Sequence, residues 1–105
     1  MNNLQPSKMH ERAGAASNLL AALANRNRLM ILCHLVEREV TVTELMELVG
    51  MSQSAMSQQL AKLRAANLVA TRRDGQQIYY RLASGEAEQV LQLLYGMYCV
   101  PDEVP

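Results

Sequence analysis

The chain has 105 residues, a size at which one core forms and seldom divides, so a single domain spanning 1–105 is expected. Its 50% hydrophobic and 19% charged content excludes a disordered or collagen-like chain, and no apolar run reaches the ~20 residues of a membrane-spanning helix. Net charge is zero, yet Ser52 to Leu82 carries five basic residues against one acid, Asp74, so a basic segment sits on an acidic body.

Met1 to Arg12 lacks the apolar centre of a signal peptide, and a soluble, cytoplasmic protein is expected. Cys33 and Cys99 are too few and too far apart for a secreted disulfide scaffold; in a reducing compartment they rest as thiols.

All three prolines (Pro6, Pro101, Pro105) lie in the tails, which leaves the middle free to be helical, with Pro101 stopping the last helix. Residues 1–8 read as a flexible arm. Ala16, Leu19, Leu20 and Leu23 then repeat at helical spacing, and Asn25 to Asn27 breaks that first helix. A second helix is expected from Arg28 to Glu37. Its apolar stripe of Leu29, Leu32, Cys33 and Val36, widened by Ile31 and Leu35, places Cys33 on an apolar face.

Val40 to Val42 reads as a short extended link, and Thr41 with Glu44 three residues later has the form of a capping box for a third helix over Thr43 to Val49. Gly50 supplies a left-handed turn and Ser52 an N-cap, so a fourth helix occupies 52–66. Met56, Leu60 and Leu63 point inward on it. Two β-like runs follow within 68–82, separated by Asp74-Gly75, a dipeptide favoured in tight hairpins. Ser84 caps a last helix over 84–99, with Glu86 and Glu88 at its positive end and an apolar stripe of Ala87, Val90, Leu91, Leu94 and Tyr98.

The order is α-α-α-α-β-β-α, mostly helical with a β-hairpin wing: a winged helix-turn-helix whose fourth helix enters a DNA major groove. Ser52, Ser54 and Ser57 are short enough to let that helix approach phosphates. Gln53, Gln58 and Gln59 offer a donor and an acceptor together to a base edge. Lys62, Arg72 and Arg73 suit phosphates, and Gln76 and Gln77 complete the candidate DNA-binding set at the wing. One such domain reads few base pairs, so a homodimer through the apolar first and last helices is expected, with double-stranded operator DNA as partner. No catalytic triad, Cys-x-x-Cys pair or Gly-rich phosphate loop appears, so no enzyme and no cofactor are expected.

Three segments together resemble the ArsR/SmtB repressors: Arg28-Leu29-Met30-Ile31-Leu32, then Ser52-Gln53-Ser54-Ala55-Met56-Ser57-Gln58-Gln59-Leu60, then the Tyr79-Tyr80 hairpin. The resemblance runs from about Ala13 to Cys99 and implies a dimeric transcriptional repressor released from DNA by an inducer. Gln59 departs from the pattern, since many members carry histidine there. Many members sense metals through cysteines on the third helix or histidines on the fifth. Neither set is present here, His10 and His34 being the only histidines, and two thiols with one histidine fall short of a closed zinc site.

Ile31-Leu32-Cys33 and Tyr98-Cys99 resemble the dithiol branch of that family, the BigR, SqrR and HlyU type. For that branch the resemblance implies a persulfide or related reactive sulfur species as inducer, with a disulfide or polysulfide bridge forming between Cys33 and Cys99. A direct disulfide needs Cα atoms ~4.4 to 6.8 Å apart and each inserted sulfur adds up to ~2 Å, so thiols held slightly too far apart favour the longer bridge. General oxidant sensing, metal sensing and a winged helix that binds protein instead of DNA stay open as alternatives.

Overall fold

The computed structural model describes residues 4–99. Five helices and three short strands follow one another as α1 (Pro6–Leu23), α2 (Arg26–His34), β1 (Val40–Thr41), α3 (Val42–Val49), α4 (Gln53–Ala65), β2 (Val69–Asp74), β3 (Gln77–Leu82) and α5 (Gly85–Tyr98). This is the winged helix-turn-helix expected, with a third strand added.

Local chemistry sets most of the boundaries. The Thr41 side chain accepts from the Glu44 amide at 3.2 Å while the Glu44 carboxylate accepts from the Thr41 amide at 3.2 Å, a complete capping box that starts α3 at Val42. Gly50 ends that helix with φ +79°, and the Met51 amide reaches back to the Met46 carbonyl at 3.1 Å. Ser52 accepts from the Ala55 amide and Ser84 from the Ala87 amide, so both predicted caps form. The end of α4 is closed by Asn67 at φ +62°; its amide bonds Arg64, and the Leu68 amide bonds Leu63, a Schellman motif with asparagine in the left-handed position.

Several expectations change. α1 begins at Pro6, inside the segment expected as an arm, because the fixed φ of proline suits a first helical position; residues 1–3 lie outside those described. The break after the first helix falls at Ala24 and Asn25 and not over Asn25 to Asn27: Asn25 caps α2, accepting from the Arg28 amide at 3.0 Å, so α2 starts at Arg26, and it ends at His34 instead of Glu37. The link at Val40 is a strand, pairing Val40 with Tyr80 and Thr41 with Tyr79, so the sheet has the antiparallel order β1-β3-β2. The hairpin turn is Gly75-Gln76, since Asp74 pairs with Gln77; Gly75 takes the positive φ of +66° that the first position of a type II′ turn requires. Pro101 lies outside the described residues.

The core is built from Ile31, Leu32, Val40, Leu45, Met56 and Leu63, all fully buried, with α3 and α4 packed on α2 and on the foot of the wing. In α2 the residues that bury are Ile31, Leu32 and Leu35, which turns Cys33 to the opposite side: it is exposed, not on the core face. The whole stripe is apolar, and the core uses the Ile31 side of it.

Candidate nucleic-acid interface and thiol pair

Ser52, Gln53, Ser54, Ser57, Gln58 and Lys62 all stand exposed on or beside α4, and Arg72, Arg73, Gln76 and Gln77 stand exposed on the wing. One helix face and one hairpin thus present short polar groups, amides and cations together. Ser52 is occupied, since its hydroxyl caps the helix and lies 3.5 Å from that of Ser54. Gln59 departs from the group: it is half-buried, and its Oε1 accepts from Arg28 at 3.0 Å. Its residue type suggests a base reader, but its position in the helix turns it toward α2.

Arg72 is also engaged. Its Nε donates to both Glu39 carboxylate oxygens, at 2.8 and 3.0 Å, and Asp74 lies 3.9 Å from Nη1. The guanidinium sits 4.4 Å from the centre of the Tyr79 ring. The Glu39 hydrogen bond is the largest influence raising the pKa of Arg72, so its charge is permanent. Nothing in the sequence singles out Arg64, yet it lines a cleft of about 380 Å³ with Ser57, Ala61 and Tyr80, between α4 and the wing. Only the folded sheet brings Tyr80 there.

The second grouping lies at the other end of α2. Cys33 and Cys99 are both free thiols and both exposed, one on α2 and one as the C-cap of α5, where the Cys99 amide bonds Tyr95 at 2.8 Å. Partial burial pushes the Cys33 thiol above its ordinary value, and the charge of Cys99 raises it further. Cys33 opens onto a cleft of about 470 Å³ that His34, Arg38, Leu91 and Tyr95 also line. Among the described residues no group of three His, Cys, Asp or Glu side chains is placed to hold a metal ion. No helix among them is long and apolar enough to cross a membrane.

Residues 25–71, which hold α2, α3, α4 and the start of the wing, match the family described as bacterial regulatory protein, arsR family. The nodulation protein NolR of Rhizobium meliloti is 50% identical over 93% of this chain and 80% of its own length. The chain belongs to the ArsR family. Among solved structures, the transcriptional repressor BigR from Xylella fastidiosa superposes with a TM-score of 0.87 at 41% identity, covering 92% of this chain and 99% of that one. Reduced HlyU from Vibrio cholerae superposes with a TM-score of 0.84 at 43% identity, covering 88% and 97%. This ArsR-family chain is therefore a DNA-binding transcriptional regulator and not an enzyme.

Proposed function

We propose that the chain is a homodimeric, cytoplasmic repressor that binds operator DNA through α4 and the wing, and whose Cys33 and Cys99 sense persulfides. The observation that carries the sensing half is the pairing itself: two exposed free thiols, one on α2 opening onto a cleft that Leu91 and Tyr95 of α5 also line, the other capping the end of α5.

Dimerisation through α1 and α5 follows from what those helices leave uncovered. Of the 18 residues of α1 only Leu23 is buried, too little to hold a helix of that length in place on a small domain. Leu20, Leu93, Met97 and Tyr98 are 58, 62, 53 and 74% exposed, and a second copy offers the same apolar faces in return. Two recognition helices about one DNA turn, ~34 Å, apart then read two half-sites.

The chemistry balances without an outside oxidant. One cysteine thiolate attacks the sulfane sulfur of R–S–SH, forming Cys–S–SH and releasing R–S⁻. The second thiolate attacks the inner sulfur of that product, forming Cys33–S–S–Cys99 and expelling HS⁻. Where the terminal sulfur of Cys–S–S⁻ first attacks a second R–S–SH, forming Cys–S–S–SH and releasing R–S⁻, the same closing attack on the sulfur next to the terminal one expels HS⁻ and leaves a trisulfide, and each further transfer before closure adds one sulfur. The bridge ties α2, which packs on α4, to α5, and a coupling of ~1 to 3 kcal/mol there weakens DNA binding ~5- to 150-fold.

The test is fluorescence anisotropy with a labelled duplex recovered from a random library. The reduced chain binds it in a salt-dependent manner, persulfide treatment releases it, and dithiothreitol restores binding. Cys33→Ser and Cys99→Ser both stay bound after treatment. Release of either variant by persulfide contradicts the dithiol reading, and a reduced chain with no salt-dependent affinity contradicts DNA binding itself.

A further inference from the structure

One guanidinium joins three helices. Arg28 donates through Nη1 to Gln59 Oε1 at 3.0 Å, through Nε to the Ala22 carbonyl at 2.8 Å and through Nη2 to the Ala21 carbonyl at 3.3 Å. The last turn of α1, the first turn of α2 and the middle of α4 meet on it. Arg28 stands near the N-terminus of α2, where the helix dipole disfavours a cation, and the carbonyls at the end of α1 offset that cost, Ala21 accepting from Arg28 as well as from the Ala24 amide.

The contact also decides what Gln59 can do. Arginine has only donors, so the amide oxygen must be the atom turned toward it, with one of its two lone pairs taken by Arg28. An adenine edge asks for a donor and an acceptor presented together, and Gln59 is half-buried with its oxygen aimed at Arg28 on α2.

We propose that Arg28 and Gln59 are positioning residues for DNA recognition: they set the angle of α4 against the end of α1, and through it the separation of the two recognition helices in the dimer. The proposal rests on the DNA-binding reading and is independent of the thiol chemistry. A neutral acceptor suits this place. A carboxylate would bind Arg28 more tightly but would put negative charge on the helix that meets phosphates.

The test is a double-variant cycle on the library-selected duplex. Gln59→Met keeps length and helix propensity and removes the acceptor; Arg28→Lys keeps the charge and loses the fork. Each single variant is expected to bind roughly tenfold more weakly, equally for every single-base variant of the probe, with the double variant no worse than the poorer single. The slope of log K against log salt stays unchanged. Preference for half-site spacing broadens, read with duplexes carrying one or two extra base pairs between half-sites, a change that simple loss of stability would not produce. Relaxed preference at one base pair in Gln59→Met, losses that multiply in the double variant, or full affinity in both singles would overturn the proposal. A wild-type chain without salt-dependent duplex binding would instead remove the reading on which it rests.

Discussion

Arg72 of the wing and Glu39 of the loop between α2 and β1 form an ion pair, with Nε 2.8 Å from the nearer carboxylate oxygen. The wing cation best placed by charge for a phosphate is thus already held by a carboxylate. If Arg72 serves as proposed, DNA displaces Glu39 or binds beside it. Glu39→Gln is expected to tighten duplex binding several-fold and to steepen the salt slope by ~0.9 for each additional phosphate neutralised. Both groups are substantially solvent-accessible, so the same change should leave stability little altered. Salt titrations of the two proteins check it; identical slopes would show that Arg72 does not exchange between Glu39 and phosphate.

The Cys33 thiol is raised first by burial and then by Cys99. Its alkylation rate should therefore go on rising above the pH of ~8.5 at which an ordinary thiol is half ionised. In Cys99→Ser the midpoint moves down part of the way, because the charge is gone and the burial remains. The stability consequence has a definite sign: a proton bound more tightly in the folded state stabilises below the unfolded pKa, and that contribution is lost as pH rises through the raised folded value. Rates of iodoacetamide labelling resolved by mass spectrometry, taken across alkaline pH, measure the midpoint.

Glu44 shows the opposite case. The Thr41 amide, donating to its carboxylate, is the main cause that lowers its pKa, with Arg38 at 3.4 Å contributing. The stability it supplies is present above the unfolded value of ~4.3 and is lost as pH falls through the lowered folded value. Thr41→Ala removes the cap of α3 and should cost ~1 kcal/mol at neutral pH. Urea unfolding at pH 7 measures that cost, and the same experiment on Glu44→Gln, which removes the carboxylate the amide holds, should show its gap to wild type narrowing in mild acid.

Asn67, at φ +62°, closes α4 in a conformation that β-branched side chains resist. Asn67→Val should lower stability by ~1 to 2 kcal/mol, while Asn67→Gly should be neutral or slightly stabilising. Thermal unfolding of the two variants distinguishes this from a side-chain contact, whose loss would make glycine as costly as valine.

What was legible in the sequence was local. Ser52, Ser84, Gly50 and the Thr41 to Glu44 box mark helix ends through bonds that span three or four residues, and they form as read. Pro6 opening α1, Asn25 capping α2 and Asn67 closing α4 are local signals that went unread, while the contacts that shape the site join distant positions. Glu39 meets Arg72 across 33 residues, Arg28 meets Gln59 across 31, and β1 exists only because β3 lies beside it. The exposure of Cys33 was hidden for a related reason: an α2 apolar on most sides does not reveal which side the core will take, and here Ile31, Leu32 and Leu35 took it.

The central claim is that Cys33 and Cys99 form a bridge containing sulfur from a persulfide. Intact mass spectrometry without reductant, after a persulfide donor and separately after hydrogen peroxide, tests it most directly. The account predicts added sulfur atoms and two thiols protected from alkylation after persulfide, with less and slower cross-linking after peroxide. A plain disulfide formed equally by both reagents, or two thiols left free to alkylate, would contradict it.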